Sequence, residues 1–298
     1  YNPEDLLQNV GFLAEVADTI QKLVTFSAKM KSAILIGTPY SESTRLYNAA
    51  LLLEGGKIMG SVYKHDLPNY GVFDECRYFT AGKLPNIISF RGIKQGVMIC
   101  EDMWFPDVAS HLAKQGAEGF IVLNGSPFEV HKQAVRLQHA KLRAERENIP
   151  LLYVNQVGGQ DDLVFDGASF AVTANGDLHL QCEEFVEEII PFSFSTASHH
   201  IFPLHPETES MYQAVTLGLR DYMRKTGQTK ILLGLSGGID SALSATIAVD
   251  AIGAENVSGV MMPSQFTSQD SLEDAADIAQ KLGLHYSITP ISELVENF

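Results

Sequence analysis

Along the chain, short unbroken apolar runs alternate with longer stretches whose apolar positions recur every three or four residues, the pattern of buried strands separated by helices. The opening stretch to about Met30 carries helical spacing. Ala33-Ile34-Leu35-Ile36 then predicts a strand closed by Gly37 and Pro39. Leu46 to Leu53 and Lys57 to Tyr63 flank Glu54-Gly55-Gly56, which predicts a hairpin because paired glycines accept positive φ. Val97-Met98-Ile99, Phe120-Ile121-Val122-Leu123 and Leu151-Leu152-Tyr153-Val154 are continuous rather than alternating, as strands buried on both faces require. Between them, Asp107 to Gln115 reads as a short helix and Val130 to Glu147 as a long charged one. Ser169 to Val172 opens a further strand pair around Asn175-Gly176.

From Glu183 to about Pro206 the pattern weakens into Pro191, Pro203, Pro206 and a Ser/His-rich patch, which predicts an interdomain connection. Beyond it, Glu207 to Lys225 is helical, and the strands Lys230 to Leu235, Val257 to Met262 and His285 to Thr289 alternate with two helices. The first of these, Ala242 to Ala251, is rich in small residues; the second carries Leu272, Ala275, Ala276, Ala279 and Leu282 on one stripe. That is a βαβαβ unit of doubly wound type. The expected organisation is a first domain over 1–190, a connection over 191–206 and a second domain over 207–298. The chain opens on Tyr1 inside a helical pattern and stops at Phe298 inside the second unit, so both domains are expected to be truncated.

Composition narrows the classes. With 298 residues and 45% hydrophobic content the chain can build two cores. Its 21 basic against 36 acidic residues, net −15, argue against a nucleic-acid surface while leaving room for a local phosphate pocket. No apolar run reaches membrane-spanning length and no signal peptide opens the chain, so no membrane partner is expected. Cys76, Cys100 and Cys182 are odd in number, far apart and without metal-ligand spacing, which fits a reducing, cytoplasmic setting.

Two places carry candidate chemistry. Cys100 lies at the carboxyl end of a buried strand, followed at once by Glu101-Asp102-Met103-Trp104, and such strand ends are where reactive groups meet ligands in α/β proteins. A lone buried thiol serves equally as a small packing group, so the position alone leaves both uses open. The second place is Ser236-Gly237-Gly238-Ile239-Asp240-Ser241, between a strand and a helix start. Adjacent glycines there let backbone N–H groups approach an anion, and the helix terminus adds partial positive charge. It is neither a Walker loop nor a G-x-G-x-x-G fingerprint.

The second loop resembles the pyrophosphate-binding loop of the N-type ATP pyrophosphatases, and Val260-Met261-Met262-Pro263-Ser264 with Ser268 and Ser271 is similar to NAD synthetases within that group. The first domain resembles the nitrilase-like glutaminase domain of the glutamine-dependent NAD synthetase family. The residues that carry this are Lys64-His65-Asp66-Leu67-Pro68-Asn69-Tyr70, Phe73-Asp74-Glu75-Cys76-Arg77-Tyr78-Phe79, Cys100-Glu101-Asp102-Met103-Trp104 and Gly158-Gly159-Gln160-Asp161. Together the resemblances cover nearly the whole chain.

They imply an α/β protein: a nitrilase-like αββα sandwich followed by a doubly wound, Rossmann-like PP-loop domain with a parallel sheet. They imply a Glu-Lys-Cys triad with Cys100 as nucleophile and Lys64 as the lysine, the glutamate falling before Tyr1; Glu75 is a candidate supporting carboxylate. Tyr70, Ser126 and Lys132 match glutamine-binding positions, although packing, turn capping and a solvated helix face are their ordinary uses. Gly234, Leu235, Ser236, Gly237, Gly238, Ile239, Asp240 and Ser241 match the ATP-binding run, with Asp240 suited to Mg2+ as a hard cation; Met262 falls where adenine would lie. The implied reaction is ATP-dependent amidation of deamido-NAD with ammonia from glutamine, in a homo-oligomer. A stand-alone nitrilase or amidase, another glutamine-dependent PP-loop ligase and a non-catalytic binding protein are the rivals. The first leaves the second domain unexplained, and the second carries different glutaminase domains.

Overall fold

The computed structural model describes residues 3–195 and 200–296. Its N-terminal helical pattern is divided, not continuous to Met30: Glu4–Gln8 forms a 3-10 turn and α1 spans Val10–Ser27. The break falls at Asn9, whose extended backbone and side-chain Oδ1, accepting from the Gly11 and Phe12 N–H groups at 2.8 and 3.2 Å, start a new helix. The chain then runs β1 (Ile34–Glu42), β2 (Arg45–Glu54), β3 (Lys57–Tyr63), α2 (Glu75–Tyr78), β4 (Ile88–Phe90) and β5 (Ile93–Ile99). A 3-10 turn over Cys100–Met103 leads to α3 (Pro106–Lys114), β6 (Gly119–Asn124), α4 (Lys132–Glu147) and β7 (Leu151–Asn155). Next come β8 (Val157–Gln160), β9 (Leu163–Asp166), β10 (Phe170–Val172) and β11 (Leu178–Gln181). The remainder is α5 (Glu207–Thr226), β12 (Ile231–Gly234), α6 (Ile239–Ile252), β13 (Val257–Met261), α7 (Gln269–Leu282), β14 (His285–Ile288) and α8 (Ser292–Glu296).

The elements form two units. One comprises the chain up to Gln156 together with Asp166–Leu204; the other comprises Val157–Phe165 and the chain from His205 onward. Of the expected connection over 191–206, residues 196–199 lie outside the described residues.

Unit 1 is layered because its strands are apolar on both faces. β1, β2 and β3 pair antiparallel, in that order. Along β2, Ala49, Leu51 and Leu53 pack with Ile20 and Val24 of α1, while Ala50 and Leu52 point the other way. There they meet Ile88, Val97 and Ile99 of a second sheet ordered β11-β10-β7-β6-β5-β4, with β5, β6 and β7 parallel. The far face of that sheet buries Met98, Phe120, Val122 and Tyr153 against Val108 and Leu112 of α3 and Ala140 and Ala144 of α4. Helix, sheet, sheet, helix is the expected αββα sandwich. The short β4, which the sequence pattern left unassigned, closes one edge of the second sheet.

In unit 2, β12, β13 and β14 form a parallel sheet in sequential order. Leu235, Val257 and Met261 pack with Ala245 and Ala248 of α6 and Ala275 and Ala279 of α7. The small residues set how closely these helices lie on the sheet, and Gly259 shows the limit: a β-carbon there would fall 2.4 Å from the Leu235 side chain. The hairpin β8–β9 packs with α5, where the Gly159 N–H donates to the buried Asp221 carboxylate at 2.8 Å and Lys225 Nζ donates to the Gln160 side-chain oxygen at 2.8 Å.

Candidate functional site

β5 delivers Cys100 into the inter-sheet layer and then turns abruptly. Cys100 stands at φ 47, in the left-handed region, where a non-glycine residue persists only if its surroundings hold it. Fully buried Asp102 supplies that hold. Its Oδ2 accepts the Ile99 N–H at 3.0 Å, and its Oδ1 accepts the His65 and Asp66 N–H groups at 3.0 and 2.9 Å. One carboxylate thus ties the residue before Cys100 to the two residues after Lys64. Burial pushes the Asp102 carboxyl up to about 6 against the opposing pull of those donors and of Lys64.

Lys64, 1% exposed, donates through Nζ to Glu75 Oε1 at 2.8 Å, and Glu75 Oε2 also accepts from Asn48 at 3.4 Å. Lys64, Glu75 and Cys100 line one pocket of about 300 Å3 together with Thr38, Asn48, Asn124 and Asn155. Burial favours the neutral amine at Lys64, but the facing charges of Cys100 and Glu75 outweigh it and the net direction is upward, so the ammonium is retained. At Cys100 burial pushes the thiol up and Lys64 pulls it back without cancelling the rise. Burial thus works against the thiolate and Lys64 works for it, and a base that takes the thiol proton is needed before the sulfur can attack.

Tyr70, Ser126 and Lys132 do not line this pocket. Tyr70 donates its hydroxyl to both oxygens of Glu101, the residue after Cys100, at 2.8 and 3.0 Å. Ser126 is buried and its Oγ accepts from Arg136 Nε at 3.1 Å. Lys132 opens α4, which begins there and not at Val130 because His131 takes a left-handed backbone conformation, φ 66. Its Nζ meets Glu129 at 2.9 Å and lies 5.5 Å from the Trp104 ring centroid.

Sequence reasoning missed the buried Arg136. Its guanidinium meets Asp166 at 2.9 and 2.6 Å and donates to the Ser126 and Pro127 carbonyls at 2.8 and 2.7 Å, fixing the turn after β6. Asn155 completes the tie by accepting the Ser126 N–H at 3.0 Å. The available signal was that Gln133, Arg136, Ala140 and Ala144 repeat at helical spacing, which puts an arginine on the stripe that α4 buries.

In unit 2 the Ser236–Ser241 loop joins β12 to α6. Gly237 takes φ 78, and a β-carbon there would lie 2.5 Å from the Ser271 carbonyl oxygen, so only glycine fits without movement. Ser241 Oγ accepts the Ser236 N–H at 3.2 Å and donates to the Gly238 carbonyl at 2.9 Å, closing the loop on itself. The residue that opens α6, Gly238, has no side chain with which to cap the first turn, and Ser236, Gly238 and Asp240 are exposed there. Of the expected run, Leu235 turns its side chain into the core and offers only backbone. Among the described residues no group of three or more His, Cys, Asp or Glu could hold a metal ion, and no helix is long and apolar enough to cross a membrane.

Unit 1 gathers a thiol at the end of β5, a buried ammonium just after β3 and a carboxylate at the start of α2 within an αββα sandwich, the arrangement of a sandwich-fold thiol hydrolase. Residues 1–195 match the family described as carbon-nitrogen hydrolase, and residues 211–298 match the one described as NAD synthase. The chain belongs to the carbon-nitrogen hydrolase family. It is similar to the glutamine-dependent NAD(+) synthetase of Aquifex aeolicus, 40% identical, across 99% of this chain and 58% of that protein. It is also similar to the solved structure of glutamine-dependent NAD+ synthetase from Acinetobacter baumannii in complex with ADP, with TM-score 0.92, 39% identity, and coverage of 100% of this chain and 57% of that one. A mutant amidase from Nesterenkonia sp. AN1, with the acetamide moiety of fluoroacetamide added covalently at its active-site cysteine, matches 61% of this chain and 68% of its own, with TM-score 0.53 and 25% identity. The chain spans just over half the length of the curated relatives it matches.

Proposed function

We propose that the protein amidates the carboxylate of deamido-NAD, using ATP and ammonia released from glutamine. The reading is carried by the presence, in one chain, of a thiol–ammonium–carboxylate pocket in unit 1 and an uncapped Ser-Gly-Gly loop in unit 2, each on the segment that matches the corresponding family. At the first site the Cys100 sulfur attacks the side-chain amide carbon of glutamine. Lys64 stabilises the thiolate and the tetrahedral oxyanion as charge develops. Ammonia leaves, and water then cleaves the thioester to glutamate. The thiol proton passes to a carboxylate base, which delivers it to the departing nitrogen, while Glu75 supports the Lys64 ammonium by accepting from it. Tyr70, Ser126 and Lys132 orient the amino-acid end of glutamine. The Nesterenkonia amidase, modified at its cysteine, supports Cys100 as the reacting atom.

At the second site the Gly234–Ser241 backbone holds the ATP phosphates while the nicotinate carboxylate is adenylated and pyrophosphate leaves; ammonia then displaces AMP. A single exposed carboxylate at a phosphate loop fits magnesium, which is commonly bound by one or two carboxylates together with substrate phosphates. Asp240 would hold it, and the ion supplies charge neutralisation to the phosphates. Three free cysteines suit a reducing setting, which supports reading the reaction as cytoplasmic.

Ammonia is mostly protonated in neutral water and so not nucleophilic, which is a reason to couple the two sites in one protein. They remain separable by mutation. In the full-length protein, Cys100→Ala should abolish NAD formation from glutamine and retain it from added ammonium salt. Loss of both in a folded variant, or retention of both, would exclude this division of labour.

A further inference from the structure

Asn48 is a polar residue on an apolar face. It lies on β2, the central strand of its sheet, on the same side as Ala50 and Leu52, which pack into the layer between the two sheets. Cys100 belongs to the same packed cluster. Strand alternation therefore directs the Asn48 carboxamide into the layer that holds the sulfur, and Asn48 lines the pocket with Cys100, Lys64 and Glu75. A carboxamide in that layer needs partners.

It meets both halves of the buried ion pair. The Asn48 carbonyl accepts the Lys64 N–H at 2.8 Å, which extends the β2–β3 ladder one step beyond Ala49 and Tyr63. Asn48 Nδ2 donates to Glu75 Oε2 at 3.4 Å, while the other oxygen, Oε1, accepts from Lys64 Nζ at 2.8 Å. Glu75 opens α2, a helix of only four residues with no side-chain cap at its start, so its own element does little to fix it. β2 is paired on both sides and supplies the fixed point.

We propose that Asn48 is a positioning residue for amide hydrolysis at Cys100: it holds the Glu75 carboxylate so that one oxygen stays on Lys64, and thereby keeps the lysine charged in the pocket of the sulfur. This rests on the reading that Cys100 and Lys64 hydrolyse glutamine. The effect is transmitted through charge. Both members of the pair are buried, so the carboxylate depends on its few donors and the ammonium depends on the carboxylate. Without Asn48, Glu75 Oε2 loses its donor, the charged form of Glu75 is less favoured and Lys64 faces a weaker anion. The other groups that face Lys64 are Cys100, Glu101 and Asp102 of the turn after β5 and Asp66 of its own loop, and the substitution alters none of them.

The experiment follows ammonia release from glutamine by the full-length protein as a function of pH. An essential ammonium sets the alkaline limb of kcat/KM, because activity falls where the lysine loses its proton. Asn48→Leu should lower kcat at neutral pH about tenfold, the scale expected when a buried acceptor loses its donor. It should also move the alkaline limb down by at least about half a pH unit, about a threefold change in the proton affinity of Lys64. Asn48→Ser keeps a donor at the position and should fall between Asn48→Leu and the unsubstituted protein in both readouts. A lower kcat with the limb in place overturns the proposal, since it marks Asn48 as shaping the pocket only. Unchanged hydrolysis overturns it as well, and so does loss of cooperative unfolding in both variants, which marks Asn48 as structural. Hydrolysis by the unsubstituted protein is the control: its absence refutes the reading of the site, whereas its presence with an unmoved limb in Asn48→Leu refutes the role of Asn48 alone.

Discussion

Replacing Asp102 by Asn tests how the turn carrying the nucleophile is held. The carboxylate accepts three backbone N–H groups, two from the loop after Lys64 and one from Ile99. An amide keeps one oxygen, so its NH2 must face at least one buried N–H that then has no acceptor, at about 1–3 kcal/mol. A second effect opposes this. Burial raises the Asp102 carboxyl from 3.8 to about 6, so the folded state binds a proton that the unfolded state has released. The associated stability is full below about pH 4 and is lost as pH rises through about 6; about 1.4 kcal/mol of it should disappear between pH 5 and pH 7.5. Asn cannot titrate. The stability deficit of Asp102→Asn should therefore be larger at about pH 5 than at about pH 7.5, by about 1.4 kcal/mol, with glutamine hydrolysis reduced at both because the Cys100 turn loses its tie to the Lys64 loop. Urea unfolding of both proteins at the two pH values reads the difference directly. A deficit that grows towards neutral pH would refute the reasoning, since it would mean that the three donors dominate over burial and hold the carboxyl low.

Arg136→Met should destabilise the protein by about 3–5 kcal/mol in urea unfolding, because Asp166 is left buried without its cation; a loss under about 1 kcal/mol would show that the pair is dispensable. Gly237→Ala should weaken ATP binding by more than about tenfold in a calorimetric titration, since the new β-carbon meets the Ser271 carbonyl in a left-handed backbone conformation; unchanged affinity would show that the loop can yield there.

Strand and helix identities, the Gly55-Gly56 hairpin, the Cys100 strand end and the Ser-Gly-Gly loop all lie in local order along the chain, and local order is what hydrophobic period and glycine position encode. The sequence by itself determined that unit 1 would be layered, because β2 is apolar on both faces and must be covered twice, by α1 and by the second sheet. It could not determine how side chains far apart in number are paired. Asp102 with His65, Lys64 with Glu75, and Arg136 with Asp166 join residues 11 to 37 positions apart, and each buried charge reads in sequence like a solvated one. Nor did the pattern reveal that Val157–Phe165 packs in unit 2, between strands that belong to unit 1. Only the tertiary structure decided these, because a buried charge is tolerated only where a partner of opposite sign or a set of N–H donors meets it, and that meeting is a property of the folded chain rather than of any segment.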